Sequence, residues 1–430
     1  MTHFKLKNEK IAIIGGGISG ISAAYFLSKD YNISLYEKEG DLGGHAITLG
    51  KELEINNKKT KKIFFDIGFL VYNTKNYPHF SKLLNDISVK TEKSNMSFSV
   101  NNNYSKFEYG STGILSITNN FKNLFSSQFW SILFDILKFY KQSKKFLLNE
   151  NQEISLGDFL NSNHFNESLI HNHIIPMCGA IWSTSTKQVL NMPAKYILNF
   201  LDNHGLLNLF KRPEWRTISY GSKNYVRKLE KNIKGLIYKN EKVVKVKRRN
   251  NKVYVLSENF TKAYDKIIFA VHADDILKIL DKPTDSEKKL FSKYTYEDNL
   301  VFVHQDTALM PKNKNVWSSW NVIINNKKSS SNQAICVTYW INNLQNFTTK
   351  NPVLVTLNPP KKLNIDKKKL LKKLKLKHPL LKEKHFSLSK EVKKLQGDNM
   401  TFYTGAWLGY GFHEDGLKSS INIRNLLSAE

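Results

Sequence analysis

The run Gly15-Gly16-Gly17-Ile18-Ser19-Gly20 constrains this chain more than any other feature in it. It is a full G-x-G-x-x-G, and it follows directly on Ile11 to Ile14, a short β-branched apolar run of the kind buried in a parallel sheet. Beyond it, Ile18, Ile21, Ala24, Tyr25 and Leu27 recur at helical spacing, and a second strand, Ile33 to Tyr36, ends in Glu37. Strand, glycine turn, helix, strand and acid in that order make a βαβ unit suited to a dinucleotide. Gly15 permits the tight turn, Gly17 lets the backbone approach a diphosphate, and Gly20 lets the helix pack close to the strand. Ile18 and Ser19 open the helix, whose first N–H groups and positive dipole end serve the anion. Glu37, 22 residues after Gly15, is placed to accept hydrogen bonds from the ribose hydroxyls, with Lys38 beside it. A structural turn alone would account for the glycines, but not for the strand, helix and acid around them.

A second glycine pair extends the pattern. Glu37-Lys38-Glu39-Gly40-Asp41-Leu42-Gly43-Gly44-His45 places Gly43 and Gly44 six and seven positions beyond the acid. Glycine suits a segment passing close to a ligand, because a side chain would block the approach. Further on, Lys242 to Lys247 and Val253 to Leu256 read as a hairpin, and Lys266 to Val271 as a buried strand ending at His272. Thr401 to Tyr403 reads as a strand leading to Gly405-Ala406, and a helix is expected from near Gly416-Leu417 through Leu427. Its N-terminal amides would face a ring on which negative charge develops. His413 stands just before it and is the candidate acid/base residue, although capping by Asp415 explains the His-Glu-Asp run equally well.

These residues carry a resemblance. The extended glycine pattern is similar to the fingerprint of the flavin amine oxidase and phytoene desaturase superfamily. Phe65-Asp66-Ile67-Gly68-Phe69-Leu70-Val71-Tyr72-Asn73, Ala180-Ile181-Trp182-Ser183-Thr184, Arg212-Pro213-Glu214-Trp215-Arg216-Thr217 and Gly411-Phe412-His413-Glu414-Asp415-Gly416-Leu417 resemble one bacterial flavoprotein family within it. That family is similar to the N-terminal flavoprotein part of some plant cyclopropane fatty acid synthases, and its genes often accompany those of such synthases. The resemblance implies an α/β fold with a Rossmann-like FAD-binding domain of the GR2 type, interleaved with an α+β substrate domain. It implies non-covalent FAD, a backbone contact from Val244 to the adenine, and dehydrogenation of a modified fatty acyl chain. It further implies a functional link to a cyclopropane fatty acid synthase-like methyltransferase. Many relatives carry an arginine after the glycine pair, where this chain has His45. An amine oxidase, or a non-enzymatic flavoprotein partner of the methyltransferase, is the alternative. On this plan 1–75, 215–295 and 400–430 form the FAD-binding domain, and 76–214 and 296–399 the substrate-binding domain.

The substrate half is rich in aromatic residues. Phe69, Tyr72, Trp182, Trp215 and Tyr339 are the candidate pocket residues, beside Trp317, Trp320 and Trp340, though core packing explains many such side chains. Phe121 to Leu148 reads as a helix with apolar faces and a late lysine cluster, either packing on the substrate domain or lying at a lipid interface. Lys361 to Lys377 alternates Lys with Leu and reads as a solvated amphipathic helix. The net charge of +28 is dispersed and no recognition module accompanies it, so compositional drift is the expectation and a nucleic-acid partner is not. Cys178 and Cys336 are the only cysteines, which argues against a disulfide framework or a cysteine metal site, and no metal is expected. The ten residues before the first strand are too few and too polar for a signal peptide. The expected location is cytoplasmic, with peripheral contact at the inner membrane as a further option for an enzyme of acyl lipids.

Overall fold

Five short runs, far apart in the sequence, close into one parallel sheet in the computed structural model. The structure describes residues 8–56, 59–104, 107–110, 125, 127–149, 153–208, 212–324, 335–360, 365–380 and 385–429. Across the sheet the order is Gly235–Tyr238, Asn32–Tyr36, Lys10–Ile14, Lys266–Phe269 and Thr401–Tyr403. Ile13 pairs with both Leu35 and Ile268, and Ile268 in turn with Phe402, so the central strand is covered on both edges. Both faces are buried as well, which is why these strands read as unbroken β-branched and aromatic runs. Helix Ile18–Leu27 packs against the C-terminal helix His413–Ala429 on one face. The hairpin Val243–Arg249 with Lys252–Ser257, extended by Thr261–Tyr264, packs on the other.

A second sheet of seven strands lies between the sequence blocks of the first. Its order is Leu370–Pro379, Tyr296–His304, Leu354–Leu357, Cys336–Trp340, Trp320–Ile324, Phe98–Asn102 and Phe107–Gly110. Its pairings are antiparallel except that of Trp320–Ile324 with Phe98–Asn102. A helical layer stands beside it, including Ser127–Leu147, Leu156–Ser162, Ile175–Trp182, Thr186–Asn191 and Ala194–Asn203. Thr186–Asn191 begins at a capping box in which Ser185 and Gln188 satisfy each other's backbone amides. The architecture is the expected mixed α/β one, with a Rossmann-like domain interleaved with a second sheet and helices.

Two expectations need correction. The Lys-rich segment is not a helix: Lys367–Lys369 is a 3-10 turn, Leu370–Pro379 is an edge strand, and 361–364 lie outside the described residues. Leu371, Leu374 and Leu376 turn onto the sheet core, and the intervening lysines keep an otherwise open edge charged. The aromatic helix is described from Ser127 to Leu147, with 121–124 and 126 outside the description. The last helix starts at His413 instead of near Gly416, so His413, Glu414 and Asp415 form its first turn. Asp415 accepts the amides of Tyr410 and Phe412, and Glu414 reaches across to those of His79 and Phe80, opening helix Pro78–Asp86. Both carboxylates serve helix ends.

One ion pair is buried at the edge of the parallel sheet. Arg248 on the hairpin meets Glu287 in a two-pronged contact at 2.6 and 2.8 Å, and the Tyr403 hydroxyl donates to the same carboxylate at 2.6 Å. Both charged side chains are almost wholly buried, 8% and 3% exposed. Removing one partner strands the other's charge in the core. Arg248→Met is expected to lower unfolding free energy by about 3 kcal/mol in a denaturant titration. Lys252→Met, which breaks a half-exposed pair with Asp265, should cost less than about 1 kcal/mol. Equal effects would show that burial does not set the strength of these pairs.

Candidate functional site

The two glycine motifs meet backbone to backbone. Gly43 N–H donates to the Gly16 carbonyl at 2.8 Å, and Gly17 and Gly43 bridge in parallel. Gly15 has φ of +102°, where an L residue is strained, and a Cβ there would sit 2.7 Å from the Ala270 carbonyl oxygen. A Cβ at Gly20 would collide with the Gly15 carbonyl oxygen, so this glycine sets how closely the helix follows the turn. Gly17 differs. Its φ is −68°, and a Cβ built on it meets nothing nearer than the Gly44 Cα at 4.0 Å. The protein's own packing does not need a glycine there. The absence of a side chain keeps open a gap directly over the N-terminus of helix Ile18–Leu27, which no side chain caps and no acid occupies.

Glu37 is buried and tied to the turn, accepting the Gly16 amide at 2.7 Å and the Glu39 amide at 2.9 Å. Lys38 is exposed beside it. The segment leading into the hairpin reaches the same place: Glu37 and Glu39 pair through their backbones with Tyr238, Asn240 and Glu241. Val244 occupies a bulge in that hairpin, skipped by the ladder between Val243 and Lys245, and its side chain is 43% exposed. Ile18 and Ser19 are buried.

The C-terminal segment closes the other side. Gly416 lies on Ser19, so close that a Cβ would be 2.7 Å from its Oγ, and Ser420 Oγ donates to the Ser19 carbonyl at 2.6 Å. Gly405 donates its amide to Ser419 Oγ, and Ala406 opens the short turn that carries Trp407. The Gly416 amide donates to Phe412 O, one turn inside the helix, and the Leu417 side chain is in the core. The helix's free amides therefore fall three residues earlier than the sequence suggests. His413 is buried, stacked on Phe69 at 3.6 Å, and shares a 3.0 Å hydrogen bond with the Tyr225 hydroxyl. Desolvation pushes its pKa down to about 3, so it is a neutral, packed imidazole.

Three other imidazoles flank the glycine crossing. His45 follows the glycine pair, His272 follows the Ala270-Val271 segment that covers Gly15, and His378 lies on the edge strand of the second sheet. Ring centroids are 5.5 Å apart for His45 and His378, and 6.0 Å for His45 and His272. His45 Nε2–H donates to the Lys377 carbonyl, and His272 stacks on Tyr296 at 4.6 Å. Desolvation and mutual repulsion hold His272 at about 4 and His378 at about 3, and desolvation lowers His45 as well. His272, Asp274 and Asp275 bring ligand-type atoms within 4.8 Å of one another, but Lys278 and Lys377 hold those carboxylates. Sequence reading found His45 and His272 individually. His378 lies one residue past the Lys361 to Lys377 segment read as a solvated helix.

The candidate pocket residues divide. Trp182 and Trp215 join one aromatic group through Phe200 and His204: Trp182 lies 4.9 Å from Phe200, and Trp215 stacks on His204 at 6.0 Å. Tyr410 and Phe412, on the C-terminal loop, pack against the same Phe200. Phe69 reaches that loop through His413. Tyr72 packs on Phe80 in the core, and Tyr339 on Trp320 inside the second sheet. Both are buried. The spacing of Tyr196, Phe200 and His204 along one helix face was the readable signal for the group that sequence analysis left unassigned.

Residues 13–87 match the NAD(P)-binding Rossmann-like domain family. No curated protein matches the sequence. The fold is that of solved flavin amine oxidase-type structures. A CLA-producing fatty acid isomerase from P. acnes superposes with a TM-score of 0.66 at 14% identity, over 98% of each chain. Cyclohexylamine oxidase from Brevibacterium oxydans IH-35A gives 0.66 at 11% identity, covering 98% of this chain and 100% of the other. Putrescine oxidase bound to putrescine gives 0.65 at 11% identity, covering 99% and 100%.

The two inner glycines can be told apart by stability alone. Gly20→Ala should destabilise the protein by about 3 kcal/mol through the backbone collision. Gly17→Ala, with room for its methyl and an ordinary φ, should stay within about 1 kcal/mol of the parent. Thermal unfolding of the apoprotein reads both, and a costly Gly17→Ala would mean that the gap is needed by the fold itself.

Proposed function

We propose that this protein is an FAD-dependent oxidoreductase that dehydrogenates a modified fatty acyl chain. The observation that carries the cofactor assignment is the gap kept open over Gly17, at an uncapped helix N-terminus where two glycine backbones cross. A diphosphate fits such a place, held by backbone N–H groups and the helix dipole. Glu37, with lone pairs beyond its two backbone bonds, would take the ribose hydroxyls, and the bulged backbone at Val244 would meet the adenine. Gly43, Gly44 and His45 would pass along the diphosphate, and the Gly405–Phe412 loop would border the ring. Flavin, when bound, supplies a two-electron acceptor for a hydride from an activated carbon. No protein residue supplies a cysteinyl link near the C-terminal loop, since Cys178 and Cys336 are buried elsewhere, so the cofactor is proposed to be non-covalent.

The substrate reading rests on the aromatic group around Phe200, bordered by the C-terminal loop and by neutral imidazoles. Trp182, Trp215, Tyr410 and Phe412 offer an apolar boundary, and the carboxylate beside them, Asp415, already accepts the Tyr410 and Phe412 amides. The fold of a fatty acid isomerase is compatible with an acyl chain, as the folds of two amine oxidases are with an amine. The test is anaerobic absorbance of the purified flavoprotein, mixed in turn with methyl-branched phospholipid and with putrescine or cyclohexylamine. Bleaching by the lipid is the expected result. Bleaching by an amine would assign amine oxidation, and a redox-inert flavin in a stable complex with a methyltransferase would favour a scaffold. Gly17→Val should purify folded without flavin, and Glu37→Ala should hold it more weakly.

The imidazoles predict a pH dependence. An anion placed against His45, His272 and His378 raises their depressed pKa values, so binding takes up protons and tightens as pH falls. Apoprotein titrated with FAD, followed by flavin fluorescence, should show affinity increasing as pH falls below about 6 toward the apoprotein values of about 4 for His272 and about 3 for His378. A flat profile would remove these histidines from the diphosphate site.

A further inference from the structure

We propose that the outer face of helix Ser127–Leu147 docks on an anionic lipid bilayer. The inner face of this helix is committed to the core: Ile132, Phe139, Ser143 and Phe146 are buried, and the helix packs against Ala194–Asn203. Its outer face begins with Trp130, Phe134 and Leu137, which are 42%, 66% and 42% exposed. Their spacing of four and three residues aligns them in one stripe about 10 Å long. Single exposed apolar residues are ordinary, but an aligned stripe of three large ones is the mark of an interaction surface. Lys141, Lys144 and Lys145 continue the same face toward the C-terminus, all exposed. The one acid of the helix, Asp135, is turned away to accept the Asn166 amide. Lys144 meets the neutral side-chain oxygen of Asn208, so its charge is not cancelled.

Charge complementarity selects the partner. An aromatic and aliphatic wedge followed by lysines fits acyl chains beneath acidic head groups, where each lysine near the surface adds to binding. A second copy of this chain is the wrong occupant, because its own face would bring lysines against lysines on a protein of net charge +28. No helix among the described residues is long and apolar enough to span a membrane, so docking is by one face. The helix Ala194–Asn203 beneath carries Phe200, next to His204, and the docking face therefore stands one helix away from the aromatic group. The surface does not depend on the reaction assigned above.

Sedimentation of the full chain with vesicles tests the proposal. Binding is expected to vesicles of phosphatidylcholine with phosphatidylglycerol, and to be weak with phosphatidylcholine alone. The double variant Phe134→Ser, Leu137→Ser, with an unchanged melting temperature, should bind about tenfold more weakly. The variant Lys141→Gln, Lys144→Gln, Lys145→Gln should lose most of the salt-sensitive binding. The proposal fails if neither vesicle binds the parent protein. It also fails if the double variant binds like the parent, which would assign attraction to the dispersed charge. Loss of a concentration-dependent dimer in the double variant would instead make this face a protein interface and overturn it.

Discussion

Two stretches of backbone touch where Gly43 crosses Gly16 and Gly17, and the rest of the site takes its position from that contact. With side chains removed from both partners, the loop after the second strand can lie directly on the turn after the first. His45 is thereby delivered to the mouth of the helix, and Glu37 is folded back onto the Gly16 amide. The C-terminal helix uses the same device at Gly416, which lets it rest on Ser19 and closes the site with residues nearly four hundred positions away. Glycine costs conformational entropy at every one of these places. What it gains is proximity, and only Gly17 gains room for something other than protein.

The second layer is held by the opposite strategy, a buried charge surrounded by donors. Asp66 is fully enclosed at the end of strand Lys59–Asp66 and accepts from Thr48, from the backbone and hydroxyl of Ser222, and from Gln345. Gln345 also receives the Asp66 amide and donates to Thr217. One carboxylate thus ties the segment before Phe69 to the start of helix Lys223–Asn232 and to the end of the short helix Ile341–Leu344, between two inner strands of the second sheet. Burial raises its pKa to about 6 against the pull of those hydrogen bonds. The segment Asp66–Asn73 carries Phe69, which stacks on His413.

What was legible in the sequence was whatever local pattern decides. The strand, turn, helix and acid of the first fifty residues are each readable because every residue type agrees with its local role. The Leu and Lys run after residue 365 was not, because Leu370, Leu371 and Leu374 fit a helix while Leu374 and Leu376 alternate as in a strand. The choice is made by Tyr296–His304, a partner no local window contains. The C-terminal helix was placed late for a similar reason, since Glu414 is fixed by His79 and Phe80 across the fold. Aromatic identity was equally silent on location: Tyr72 and Tyr339 are core, whereas Trp182 and Trp215 gather near the C-terminal loop through Tyr196, Phe200 and His204.

Charge is distributed against the direction that composition suggests. The chain carries +28, yet the imidazoles at the glycine crossing are neutral, and the lysines nearest them are occupied by Asp274 and Asp275. His45 stands where many relatives implied by the resemblance carry an arginine, and its Nε2–H is already given to Lys377. Attraction for an anion at the crossing therefore comes from backbone N–H groups and the helix dipole, which neither titrate nor need a counter-ion. Positive charge would appear on the imidazoles only as an anion arrives, because that anion offsets the desolvation which keeps them neutral. The permanent charge lies outside, where it draws anionic partners toward the protein and disfavours the approach of cationic amines, subject to screening by salt.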